Sequence, residues 1–243
     1  MIPIGDQNTC RRGKPILTWL LIAANALIFV FIQDFGADGP TLAMAAIPSE
    51  IALGRGLVTL LTCQFAHAGF AHLAGNMLFL GIFGDNVECR IGRARYLALY
   101  LISGAIGVLC HVAAAVSIGG AAAEAPLVGA SAAISGILAA YLVLFPGNKV
   151  TVLLFNFIPT RVSAWLVIGF WFVLQIMGGL SGLAAGGTAY LAHIGGFASS
   201  WIWSRGYKRV EAARIERERR ERYLRGEVGG LRWWLLDDQH RFF

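Results

Sequence analysis

Charge is what this sequence has least of. Asp, Glu, Lys and Arg together make up 14% of 243 residues, against roughly 25% in an ordinary soluble domain. So few charges cannot cover a soluble surface. Most of the chain is therefore expected to face lipid or other helices. Cysteine is also sparse: Cys10, Cys63, Cys89 and Cys110 are scattered, without CxxC or Cys/His ligand spacing. Neither a disulfide framework nor a structural zinc site is indicated. A G-X-Y period is missing although glycine stands at 30 positions, so that glycine suits close packing between membrane helices rather than collagen. No internal repeat is found. What the chain has in excess is apolar residues, 57% of the total, with a mean hydropathy of +0.64.

The apolar residues fall into six segments, about 15–33, 71–88, 94–116, 128–146, 162–180 and 187–204. Each approaches the roughly 20 residues needed to cross a 30 Å hydrocarbon layer. The first follows Arg11, Arg12 and Lys14, is longer than a signal core, and lacks a small-residue cleavage site, so it reads as a retained helix. These segments predict an all-α membrane protein, a bundle of six transmembrane helices. Basic residues orient it. Arg11, Arg12 and Lys14 precede the first segment, Arg90, Arg93 and Arg95 join the second and third, and Lys149 and Arg161 join the fourth and fifth. Eleven more follow the sixth, and of twenty Lys and Arg only Arg55 lies on the other side. By the positive-inside rule both termini are cytoplasmic. The net charge of +6 is thereby accounted for without nucleic acid.

Three regions follow: a cytoplasmic N-terminus (1–14), a six-helix core (15–204) and a basic, charged cytoplasmic tail (205–243). The tail places Glu216/Arg220, Glu218/Arg222 and Glu221/Arg225 at i,i+4, the spacing of a solvated or lipid-surface helix. The stretch Leu231 to Leu236 is suited to the inner headgroup layer.

Ionisable groups inside spanning helices are costly and usually functional. Here they are His72 with Asn76 early in helix 2, Asp85 and Glu88 near its inner end, His111 in helix 3 and His193 in helix 6. Helices 2, 4 and 6 all run inward. His72, Asn76, Ser131 and His193 therefore lie at one shallow depth, within about two turns of their helix starts. A Ser at a helix N-terminus has free N–H groups and the positive dipole end beside it. This combination points to a Ser131 nucleophile with His193 as base. The Ser131 N–H, Asn76 and His72 would steady an oxyanion. The outer acids Asp34, Asp38, Glu50 and Glu124 lie in loops, which favours a dyad over a triad. Asp85 and Glu88 are expected to bond loop backbone and Arg90. Ser135, Gly136, Gly195 and Gly196 are assigned to packing, Trp165, Phe170 and Trp171 to lipid contact, and neither His67 nor His111 to catalysis.

Phe65 to Met77 (FAHAGFAHLAGNM), Gly129-Ala130-Ser131-Ala132 and Ala192-His193-Ile194-Gly195-Gly196 resemble, in order, spacing and host helix, the rhomboid intramembrane serine proteases. The similarity covers about residues 15–204. It implies a six-helix rhomboid core, Ser131 as nucleophile, His193 as general base, His72 and Asn76 on the oxyanion side, no metal or cofactor, and transmembrane segments of other proteins as substrates. It also implies a multi-pass protein of a bacterial inner membrane, with helix 5 as lateral gate. Three positions depart from the family pattern. GxSG reads with Ala132 in place of Gly. Ser135 stands where some members carry an aromatic that supports the histidine, leaving Tyr190 or a neighbouring helix to hold His193. The first outer loop reads Arg55-Gly56-Leu57 instead of carrying a Trp-Arg pair. A metalloprotease of HExxH type is excluded, because His67 and His72 are five apart with no Glu. An aspartyl protease lacks its second embedded Asp, and a transporter its inverted repeats. The remaining alternative is an inactive rhomboid-like protein that binds transmembrane segments.

Overall fold

The computed structural model describes residues 2–7, 14–154, 158–182 and 190–225. Arg11, Arg12, Cys10 and the 231–236 stretch lie outside them. Each of the six apolar segments contains one helix. These are α1 (Ile16–Phe31), α5 (Phe70–Ile91), α6 (Arg93–Ile118), α8 (Ser131–Leu144), α9 (Ala164–Gly182) and α10 (Tyr190–Leu224). Short helices α2 (Asp38–Met44), α3 (Pro48–Ala52) and α4 (Thr59–Thr62), with a 3₁₀ turn at Cys63–Phe65, fill the connection from α1 to α5. A further turn, α7 (Ala121–Glu124), lies between α6 and α8.

α8 is the axis of the bundle. It is apolar all round, and 12 of its 14 residues are buried, as a helix surrounded by others requires. α10, α6 and α5 pack on it. At about 1.5 Å per residue it is only about 21 Å long, so length alone does not make it a span. Among the described residues one helix, Arg93–Ile118, is long and apolar enough to cross a membrane, and the pair Thr59–Phe65 and Phe70–Ile91, bent by 93°, meets that test only when the two are taken together. α1, α8 and the apolar part of α9 are shorter. Close approach is what glycine provides here. A Cβ on Gly196 of α10 would collide with the Ala132 carbonyl oxygen of α8. Ala132, in the place of the family's Gly, is itself buried at this crossing. Large side chains fill the layer below: Leu80 and Phe83 of α5, Tyr96 and Tyr100 of α6, and Ile137 and Tyr141 of α8 are fully buried. A second, smaller cluster joins Ala46, Ile51 and Cys63 to Val108 and Val112 of α6, so the short helices of the first connection are seated on the bundle.

The protein is predominantly helical but not all-α. Three antiparallel strands, β1 (Ile2–Asp6), β2 (Lys149–Leu154) and β3 (Ile158–Ser163), pair in the order β1-β2-β3. Their β-branched residues, Val150, Thr151, Val152, Thr160 and Val162, suit a pleated sheet. The signal is short, and lay hidden between two long apolar segments. Three smaller corrections belong to the same end. Cys89 is disulfide-bonded; Cys63 and Cys110 are free. Spacing along the chain cannot reveal a pair that folding assembles. Among the described contacts Arg90 meets neither Asp85 nor Glu88. Instead it grips Glu211 of α10 with two N–H donors at 2.7 and 2.5 Å. Glu88 is buried, accepting the Leu17 and Thr18 N–H groups and the Thr18 hydroxyl. In the tail, Glu218 pairs back to Arg214 at 3.4 Å rather than forward to Arg222.

Asp6 ties the sheet to the bundle. One carboxylate oxygen accepts the Tyr141 hydroxyl at 2.5 Å and the Asn86 amide at 2.7 Å. Burial nevertheless raises its pKa above the ordinary 3.8. The folded state then holds a proton that the unfolded chain has released, so stability falls as pH rises between 3.8 and the folded value. Asp6→Asn is expected to flatten that part of the stability curve, read by thermal unfolding from about pH 4 to about pH 8. An unchanged slope would remove Asp6 as its cause.

Candidate active site

Ser131 is the first residue of α8, where the helix leaves N–H groups without intrahelical acceptors. His193 is the fourth residue of α10. The α8–α10 crossing brings them together: Ser131 Oγ lies 2.7 Å from His193 Nε2. The other ring nitrogen, Nδ1, lies 2.7 Å from Gln175 Oε1 on α9. The Gln175 amide nitrogen meets the Trp171 carbonyl at 3.4 Å, so the amide oxygen is the atom that faces the ring. An amide oxygen can only accept, which places the proton on Nδ1 and leaves the Nε2 lone pair toward the serine hydroxyl. That is the tautomer a general base requires.

Gln175 was not singled out from the sequence. A polar residue four positions after Trp171 in an apolar helix was the available signal. Trp171 itself departs from its lipid-facing assignment: its ring lies 5.9 Å from the His193 ring, tilted by 37°, while Trp165 and Phe170 are exposed. Tyr190 meets His193 edge-on at 6.5 Å and does not supply the hydrogen bond. Ser135 bonds the Ser131 carbonyl at 2.6 Å, inside its own helix.

His72 and Asn76 are the third and seventh residues of α5. His72 adjoins Gly129, whose φ is +129°. A Cβ there would come within 2.8 Å of the imidazole, and it would stand 3.6 Å from Ser131 Oγ. Glycine is thus required both by the backbone and by the approach of the ring. Gly129 is held in turn by its N–H on the Cys63 carbonyl at 2.9 Å. Asn76 is buried and donates to the His72 carbonyl at 3.0 Å. Among the described hydrogen bonds it makes none to Ser131 or His193. His67 is fully buried, its ring 5.2 Å from that of His72; its backbone is clasped by Gln33.

A family model described as the Rhomboid domain matches residues 54–209, which hold Ser131, His193, Gln175, His72 and Asn76. The chain belongs to the rhomboid family. Similar proteins include Rhomboid protease GluP of Bacillus subtilis (strain 168), 31% identical over 190 residues, covering 76% of this chain and 34% of that protein. Rhomboid protein 1, mitochondrial, of Saccharomyces cerevisiae is 31% identical over 169 residues, covering 67% of this chain and 45% of that protein. The Presenilin-associated rhomboid-like protein, mitochondrial, of Mus musculus is 29% identical over 149 residues, covering 60% and 37%. The chain thus spans between about a third and a half of these relatives. Rhomboids are integral membrane proteins. Mitochondrial proteins stand beside bacterial ones among the relatives, so family membership leaves open which membrane this rhomboid occupies.

Proposed function

We propose that this rhomboid is an intramembrane serine endopeptidase that cuts transmembrane segments of other membrane proteins. The single observation carrying the reading is the run Ser131–His193–Gln175, two contacts of 2.7 Å each. Ser131 Oγ attacks the scissile carbonyl carbon while its proton passes to His193 Nε2. The carbonyl oxygen becomes an oxyanion, met by the Ser131 N–H at the α8 terminus and by Asn76 and His72. The imidazolium then protonates the leaving amine, and the C–N bond breaks to leave an acyl-serine. Water, deprotonated by the same Nε2, hydrolyses that ester and returns the proton to Ser131.

Six membrane crossings with both termini cytoplasmic complete the proposal. Ser131 and His193 then lie near the outer face. A helical substrate must unwind there, because its carbonyls are otherwise closed by their own hydrogen bonds. Labelling of the purified protein by a fluorophosphonate probe tests the reading. Labelling that is absent, or that persists in Ser131→Ala, overturns the serine mechanism and leaves a protein that binds segments without cutting.

In this mechanism Gln175 is a positioning residue that replaces the carboxylate of a triad. Gln175→Leu is expected to lower kcat about tenfold, the worth of one lost buried hydrogen bond, with KM little changed. Gln175→Glu, which restores an acceptor for Nδ1, is expected to recover most of the loss. Equal activity of the leucine variant and the wild type would exclude the role.

A further inference from the structure

The basic end of the bundle carries two adjoining hollows that the catalytic reading does not use. The first, about 590 Å³, gathers Lys14 from before α1, Arg90, Arg93 and Arg95 from the α5–α6 junction, and Arg214 from α10. Two carboxylates share it, Glu88 and Glu211. Glu211 is taken by the bidentate contact with Arg90. Glu88 is committed to the start of α1, and Arg93 reaches it only at 3.8 Å. Arg95 has no carboxylate within 4.0 Å among the described ion pairs. Its guanidinium lies 5.7 Å above the Tyr207 ring, and one nitrogen reaches the Ile91 carbonyl at 3.4 Å. Five cations against two acids leave the cup positive.

The second hollow, about 500 Å³, shares Arg95, Tyr207, Glu211 and Arg214 with the first and continues along α10 past Ile202, Trp203 and Val210. Ile202 is 72% exposed and Val210 71%. From Arg214 back to Ile202 is about 18 Å of helix. The trough therefore runs from the cationic cup toward the apolar part of α10. A soluble anion would use the cup and leave the trough empty. A phosphate esterified to an acyl chain would use both. Basic pockets at this level between membrane helices are suited to anionic headgroups.

We propose that the two hollows form one site for an anionic phospholipid, with the phosphate on Arg93, Arg95 and Lys14 and an acyl chain along Ile202 and Trp203. The inference rests on the reading that the bundle is embedded in a membrane, which extraction by alkaline carbonate tests separately. It does not rest on catalysis, so the full chain carrying Ser131→Ala serves equally well.

Purified in neutral detergent, the protein is to be titrated with phosphatidylglycerol, with phosphatidylcholine, and with inorganic phosphate or glycerol phosphate. Bound lipid is read by native mass spectrometry and stability by Tm. Phosphatidylglycerol is expected to stay bound and to raise Tm, while the other probes do neither. Arg93→Gln with Arg95→Gln, both on exposed positions, should weaken that affinity about thirtyfold, the worth of two juxtamembrane basic contacts. Arg217→Gln with Arg219→Gln, on α10 outside the cup, should leave it unchanged. Ile202→Asn should weaken it severalfold without touching a charge, which keeps the test decisive if the arginine variant unfolds. Equal retention of phosphatidylcholine, a full Tm rise with free phosphate, equal loss in the control variant, or unchanged affinity in Ile202→Asn would each overturn the site.

Discussion

Ser131→Ala and His193→Ala are each expected to lower kcat by about 10⁴-fold or more, and the double variant by little further, because one proton-transfer step needs both groups. The 2.7 Å contact joins the attacking oxygen to the nitrogen that must take its proton. Removing the hydroxyl leaves no nucleophile, and removing the imidazole leaves a hydroxyl with no base. Neither change should unfold the protein. Ser131 is half-buried at a helix start and His193 half-buried, and alanine opens no large cavity in the layer around Phe83 and Tyr141. Turnover of a model transmembrane substrate is to be measured beside thermal unfolding. Wild-type-like turnover in either variant, or two losses that multiply in the double variant, would refute a shared step.

Asn76→Ala is expected to lower kcat about 10²-fold, with a much smaller change in KM, since a preorganised oxyanion donor acts chiefly as charge develops. An amide carries two N–H donors. One is spent on the His72 carbonyl at 3.0 Å, which locks the side chain on its own helix. In the proposed mechanism the second is the donor offered to the reacting carbonyl. A donor so anchored is worth more than a free one, because its orientation costs nothing at the moment of reaction. His72→Ala should cost less, as the Ser131 N–H and Asn76 still meet the oxyanion. Measured kcat and KM of both variants decide this. An Asn76→Ala effect confined to KM would make the residue part of substrate binding or packing.

In α9 the helix is legible along the chain, but its inward face is not. Its hydrophobic run marks a helix, and by composition Trp165, Phe170 and Trp171 all suit a lipid-facing surface. Two of them are exposed. Trp171 turns toward His193 instead, and Gln175, one helical turn on, supplies the histidine's partner. An apolar helix with little polar periodicity does not announce which face looks inward. The neighbouring helix that holds His193 does so with a neutral amide rather than an acid.

The strands are obscure in the sequence for a related reason. Six long apolar segments dominate the pattern, and the β-branched runs at 149–154 and 158–163 are short connections by comparison. Pairing with Ile2–Asp6 joins residues nearly 150 positions apart, which local propensity cannot register.

By itself the sequence determined the six helical segments, the basic end of the bundle and the four polar groups Ser131, His193, His72 and Asn76. Each depends on features legible along the chain: runs of apolar residues, the sidedness of arginine, and polar atoms too costly to bury without use. The tertiary structure alone decided the tautomer-setting contact from Gln175 to His193, the clasp of Arg90 on Glu211, the Cys89 disulfide and the sheet closed by Asp6. Every one of these is a meeting of atoms from distant segments. Their energies depend on distance and direction in space, and the order of residues along a chain carries neither.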